Sequence, residues 1–182
     1  MKNTYKTCLF FAVFIIIAGS GEIYGLDDAR ALYDEAVRCV KARETDFAFM
    51  GFRNVVRDFP ETWFGRESIF AIAEYYYNNK QYEDAISQLK EYINNKPDPR
   101  GCVFAKLYLL KIIDQMDNPD AEDKAMSLDI KKELLSKPYF LVLTEYKKTS
   151  YISPFQNRFT IKRYPGNMDI YRDAELFVRL TQ

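Results

Sequence analysis

Glu67 and Glu74 stand seven residues apart in a helical stretch, a spacing that returns a side chain to nearly the same face after two turns. Two carboxylates on one face are the equipment of a glycosidase, and cell-wall cleavage is the chemistry they would suit. Little else supports that reaction. The chain contains no histidine, which removes the commonest general base and metal ligand. No glycine-rich phosphate loop or nucleophile motif accompanies the acids, and paired acids are common on solvated helix faces. The expectation is therefore no catalytic residue, no metal and no cofactor, with a carboxylate-dependent glycosidase as the remote alternative. Cys39 and Cys102 sit in apolar helical contexts, where a small buried hydrophobe is expected. A bridge between them is possible in an oxidising compartment. The repeat described below, however, separates them by two hairpins, beyond the roughly 7 Å between Cα atoms that a disulfide spans, so two free thiols are expected.

The chain has 182 residues, 48% hydrophobic and 29% charged, with 14 tyrosines and 14 phenylalanines. That composition belongs to a packed globular protein with large aromatic anchors. Met1 to Thr7 carries Lys2 and Lys6 and no acid, and Cys8 to Ala18 is an unbroken apolar run ending at Gly19, Ser20 and Gly21. This is the three-part pattern of a secretory signal, with cleavage expected after Ser20. The run is too short to cross a hydrocarbon core of about 30 Å without flanking residues; an uncut N-terminal anchor is the alternative. Gly21, not a cysteine, directly follows Ser20, so no lipid attachment is expected. Without residues 1–20 the charge is 24 basic against 26 acidic, which gives no encouragement to nucleic-acid binding.

Self-similarity is visible at a shift of 37 residues. It pairs Leu32 with Ile69, Ala36 with Ala73, Ala48 with Ala85, Phe52 with Leu89, Val56 with Ile93 and Pro60 with Pro97. Apolar residues recur at helical spacing over 28–42 and 45–58, then over 66–78 and 82–95, so each unit reads as a helical hairpin. The alanines mark close helix approach and the prolines stop the second helices. A third unit opens with CVFAKLYLLKIIDQM, where Ala105 follows Ser68 by the same interval. Its second helix, near 120–135, reads as a divergent end cap.

Ala73, Tyr76, Ala85, Leu89 and Pro97, with Ala36, Ala48, Phe52 and Pro60 and with Cys39 in place of a tyrosine, resemble the tetratricopeptide (TPR) repeat. The longer units, with FPET before one helix and AISQLKEYI before proline, look like the periplasmic subfamily typified by the BamD-type outer-membrane assembly lipoprotein and the Tol-Pal coordinator YbgF. The resemblance covers about residues 28–135 and implies a mainly α, TPR-like solenoid of two clear hairpins and one divergent hairpin. It further implies a scaffold of the bacterial cell envelope that holds a partner's segment along its first helices. The family's groove positions fall on Arg30, Tyr33 and Lys41; on Glu67, Phe70, Glu74, Tyr77 and Asn78; and on Phe104, Leu107, Lys111 and Asp114. The partner implied is another envelope protein or peptide, with no nucleic acid, and with a membrane touched only through an uncut signal.

From Pro138 the periodicity changes to alternation in RFTIKRY, MDIYR and LFVRL, which reads as a small antiparallel meander of three strands packed on the repeats. Phe159, Ile161, Met168, Ile170, Leu176, Val178 and Leu180 are expected on the covered side. Thr160, Lys162, Asp169 and Arg179 are expected in water. Pro165-Gly166-Asn167 is a good turn and Arg172-Asp173-Ala174-Glu175 a weaker one, because alanine is strained at positive φ. Tyr139 to Tyr146 is left between a strand and a helix end. The domain organisation expected is a signal over 1–20, helical repeats over 26–137 and a β-rich extension over 138–182. That extension carries seven basic and four acidic residues. It offers a second route to function, a structural subunit that pairs through its strands.

Overall fold

The computed structural model describes residues 25–95, 99–116, 118–145 and 150–181. The expected signal segment and Pro97 lie outside them. The protein is mainly helical with a small antiparallel sheet at its C-terminal end. Helix α1 covers 25–41. It is followed by α2 (Thr45–Asp58), α3 (Trp63–Asn78), α4 (Tyr82–Asn94), α5 (Pro99–Gln115), α6 (Ala121–Leu134) and α7 (Lys137–Glu145). The strands are β1 (Tyr151–Ile152), β2 (Arg158–Tyr164), β3 (Asn167–Arg172) and β4 (Glu175–Thr181), neighbours in that order.

The 37-residue period is carried by the backbone itself. Helix α1 ends with Arg43 N–H on Val40 C=O and Glu44 N–H on Cys39 C=O; α3 ends with Lys80 N–H on Tyr77 C=O and Gln81 N–H on Tyr76 C=O. This is one C-terminal motif used twice, and Arg43 (φ 64°) and Lys80 (φ 58°) take the left-handed position in each. Ala36 and Ala73, Ala48 and Ala85, and Phe52 and Leu89 are all buried where the helices meet. Leu32 departs from the pairing, being 40% exposed while Ile69 is buried, since the outer side of α1 meets no described helix. Tyr76 and Val56 are half-buried between the two cores, and Pro60 is exposed just beyond α2. In the third pair, α5 and α6, the link is longer, and residue 117, one interval beyond Lys80, lies outside the described residues.

Helix α3 starts at Trp63, earlier than the periodicity suggests, because Thr62 caps it: its Oγ1 accepts from Gly65 N–H at 3.0 Å and donates to Phe59 C=O at 2.8 Å. Asp120 caps α6 in the same way, accepting from Asp123 N–H at 2.8 Å. Tyr139 lies in a helix, α7, and α7 packs against α5 and α6, so the β portion begins at Tyr151.

The meander has four strands where three are expected, because the two-residue β1 carries no alternation to read. Two facing assignments also change. A bulge between Ile170 and Tyr171 pairs Tyr171 with Leu176 and Ile170 with Val178, so Phe177 turns inward and Leu176 is 47% exposed. Asp169 is buried, and Arg179 donates to both of its oxygens at 2.7 and 2.8 Å. The β3–β4 turn does place Asp173 (φ 49°) and Ala174 (φ 74°) in the left-handed region, as a two-residue hairpin loop requires.

Gly65 is forced by the cap. A Cβ there would lie 2.2 Å from the Phe59 carbonyl oxygen, a backbone atom that cannot swing away. Gly65→Ala should cost about 1–3 kcal/mol by overpacking, whereas Gly25→Ala, whose nearest atom would be Phe59 Cε1 at 4.0 Å, should change little. Urea midpoints measure both, and equal midpoints would remove the close-approach explanation.

Candidate interaction surface

The helices fall into two physical classes. Outer helices α2 and α4 are amphipathic and bury three residues each, Ala48, Phe52 and Val55, and Ala85, Leu89 and Tyr92. Inner helices α3 and α5 are buried on all sides, over Glu67 to Glu74 and over Gly101 to Leu110 without a break. A helix apolar all round needs cover on every face. Here the outer helices supply one side and the C-terminal sheet the other.

That sheet lies on the row where the family's groove positions fall. Phe70, Glu74, Phe104 and Leu107 are fully buried and Tyr33 and Glu67 nearly so; Tyr77 and Lys111 are half-buried, and Arg30, Lys41, Asn78 and Asp114 are exposed. Tyr151 stacks on Phe104 with centroids 3.9 Å apart, Phe159 lies 5.0 Å from Phe104, and Phe177 meets Tyr77 and Tyr108 at 5.9 and 5.0 Å. The row expected to receive a guest is thus covered by the chain's own tail. The expectation of an open groove is corrected: the tail covers Glu74 and Phe104, while Phe70 is packed between Tyr92 of α4 and Tyr108 of α5 and Leu107 is fully buried.

Glu74 is the centre of the contact. Its Oε1 accepts from Tyr108 Oη at 2.7 Å and Asn157 Nδ2 at 2.8 Å, and its Oε2 accepts from Phe155 N–H at 2.9 Å. The donors from 155 and 157 belong to the β1–β2 loop, which is folded tightly by Ser153 N–H on Asn157 C=O and Asn157 N–H on Ser153 Oγ. Asn157 Oδ1 in turn accepts from Arg172 at 2.9 Å, and the same guanidinium nitrogen reaches Asn78 Oδ1 at 2.6 Å. Arg172 also lies over the rings of Tyr77 and Tyr108. Sequence reading missed Asn157 and Arg172; neither has a periodic signature, and each acts on residues about 80 to 94 positions away.

The other buried charges are met as well. Tyr92 Oη donates to Glu67 at 2.7 Å, and Lys106 bonds to Glu133 and lies 4.6 Å from the centre of the Tyr139 ring. Glu67 and Glu74 therefore act as acceptors for tyrosine hydroxyls, and burial together with these carboxylates pushes the Tyr92 and Tyr108 hydroxyls far above their ordinary values. Both described cysteines are free; Cys102 is buried, with its thiol pushed up by burial, while Cys39 is half-buried rather than enclosed. Among the described residues no trio of ligating side chains gathers for a metal, and no helix is long and apolar enough to cross a membrane.

Displacing the tail would expose Phe155, Phe159, Ile161, Met168, Ile170, Phe177, Val178 and Leu180, all buried. At roughly 1.5–3 kcal/mol each the loss is on the order of 15 kcal/mol, more than the 8–12 kcal/mol with which a micromolar-to-nanomolar guest binds. What stays open is at the β4 edge of the sheet. A cleft of ≈ 660 Å³ runs between β4 and helices α5 and α6, bordered by Lys111, Lys124, Leu128 and Lys131. A second cleft of ≈ 430 Å³ at the β3–β4 turn shares Lys111, Leu176 and Phe177 with it. Leu128 and Leu176 are 54% and 47% exposed.

Burial holds the Glu74 carboxyl above the usual carboxylate range, and hydrogen bonds from Ser153, Tyr108, Asn157 and Phe155 N–H offset this only in part. A carboxyl raised in the folded state keeps a proton that the unfolded chain has released. Stability should therefore fall as pH rises from the ordinary value of 4.5 through the raised one. With no histidine in the chain, no imidazole titration overlies that window. Glu74→Gln should flatten the slope, and should cost about 1–3 kcal/mol at its acid end because an amide NH₂ would face donors. Denaturant titrations across the window test this, and a slope unchanged by the substitution would refute it.

No family model matches the chain, and neither a curated protein nor a solved structure proves similar to it.

Proposed function

We propose that the protein is a non-enzymatic, TPR-like interaction module of a bacterial cell envelope that meets its partner through the outer edge of its C-terminal sheet. The observation that carries this reading is the division of its surfaces. The inner helix row is closed by the tail at Glu74, while β4 borders an open cleft with Leu128 and Leu176 exposed. Unpaired strand edges and exposed apolar side chains beside them are a recurrent means of protein recognition. Glu67 and Glu74, the carboxylates a glycosidase would need, are bound by tyrosine hydroxyls, and Glu74 is sealed from solvent. Export to the periplasm rests on the basic and apolar pattern of residues 1–20. Repeat membership rests on the 37-residue period and the twice-used helix end.

A photo-crosslinking residue placed at Leu128 or Leu176 in the native host should capture the same protein from both positions. One placed at Arg30 or Lys41, exposed groove positions on α1 that border neither cleft, should capture far less. Adducts from Arg30 or Lys41 with none from Leu128 or Leu176 would return the partner to the inner row and overturn the proposal.

A further inference from the structure

The two edges of the sheet are finished differently. β1 is two residues long, too short to template another strand, whereas β4 runs for seven residues. Among the described residues no backbone group outside β3 pairs with β4. Its bulge sits at the turn end, and from Val178 to Thr181 the pairing with β3 is regular. Neither proline nor lysine blunts this edge, and its arginine, Arg179, is held by Asp169. Natural sheets protect a long edge unless it is used.

The cleft beside β4 also has a sign. Lys124, Leu128 and Lys131 recur at i, i+4 and i+7 on α6, all exposed, and Lys111 of α5 completes the rim. No ion pair engages any of these lysines among the described residues, and Asp114 is the only acid that borders the cleft. The acids of α6, Glu122, Asp123, Asp129 and Glu133, fall outside it.

We infer that the cleft takes an extended, net-negative segment of another protein, which adds to β4 as a fifth antiparallel or parallel strand. Alternate apolar side chains of that segment cover Leu128 and Leu176 while its carboxylates reach the lysine rim. The inference deepens the proposed function and rests on it. Charge decides against the self-derived occupants. Two copies joined edge to edge would bring two lysine rims together, and the chain's own N-terminal residues 1–20 carry Lys2 and Lys6 and no acid.

The test uses the full-length chain and a fluorescent ten-residue peptide of alternating valine and glutamate, read by anisotropy and by backbone amide shifts. Saturable binding with shifts on β4 and α6 is expected, weakening with salt and falling about tenfold in the Lys124→Glu, Lys131→Glu double variant, whose exposed positions leave the fold intact. N-methylation of alternate peptide amides should abolish binding in one phase and spare it in the other, because a strand offers its hydrogen bonds on alternate residues. Equal affinity for a valine–lysine peptide, indifference to both methylation phases, shifts confined elsewhere, no saturation, or sedimentation of the free chain as a dimer would each overturn the inference. Should crosslinks from Leu128 and Leu176 persist in the host while the peptide fails, strand addition falls and the edge-facing module stands; absent crosslinks remove both.

Discussion

A carboxylate without solvent has to be surrounded by donors, and Glu74 finds almost all of them in a loop 79 to 83 residues later in the chain. The loop can supply them only if it is bent back on itself, which the Ser153–Asn157 bonds and the left-handed Gln156 (φ 64°) accomplish. Phe155 is thereby driven into the core between α2 and α3, where Phe52 and Tyr75 receive it. Beside the loop, β2 and β4 lie on α5, and Tyr108 joins loop and sheet by donating to Glu74 while packing on Phe159 and Phe177. Leaving this carboxylate unpaired costs more than any one of its bonds contributes, so the tail and the helical layer are bound to fold as one unit.

The hairpins were legible because their signals are local. Small residues at Ala36, Ala48, Ala73 and Ala85 and a constant interval dictate close, repeated helix pairs, and the backbone reproduces that interval down to the bonds at Arg43 and Lys80. The closed inner row was not read, although α3 and α5 carried the clue. In WFGRESIFAIAEYYYN and PRGCVFAKLYLLKIIDQ no solvated stripe remains, and an open groove would need one. Recognising a repeat supplied positions for a binding face; it could not supply the sheet that covers them, because that contact joins residues far apart in sequence. The strand phase failed for a smaller reason. Alternation in ELFVRLT favours Leu176 inward until one bulge opposite Tyr171 shifts the count, and then Phe177 takes the buried place.

Covering the inner row has a consequence for recognition. A guest on that row would first have to release a sheet whose apolar burial exceeds the affinity of ordinary peptide complexes. The outer edge carries no such cost. From Val178 to Thr181 β4 is already paired regularly with β3, its register is fixed by the Asp169–Arg179 pair, and α5 and α6 stand beside it with side chains in place. A strand added there finds preformed hydrogen-bonding groups and loses only its own conformational freedom, which is the condition under which a short segment binds usefully. The interaction that seals one face of this protein is thus also what makes the opposite edge rigid enough to serve as a template.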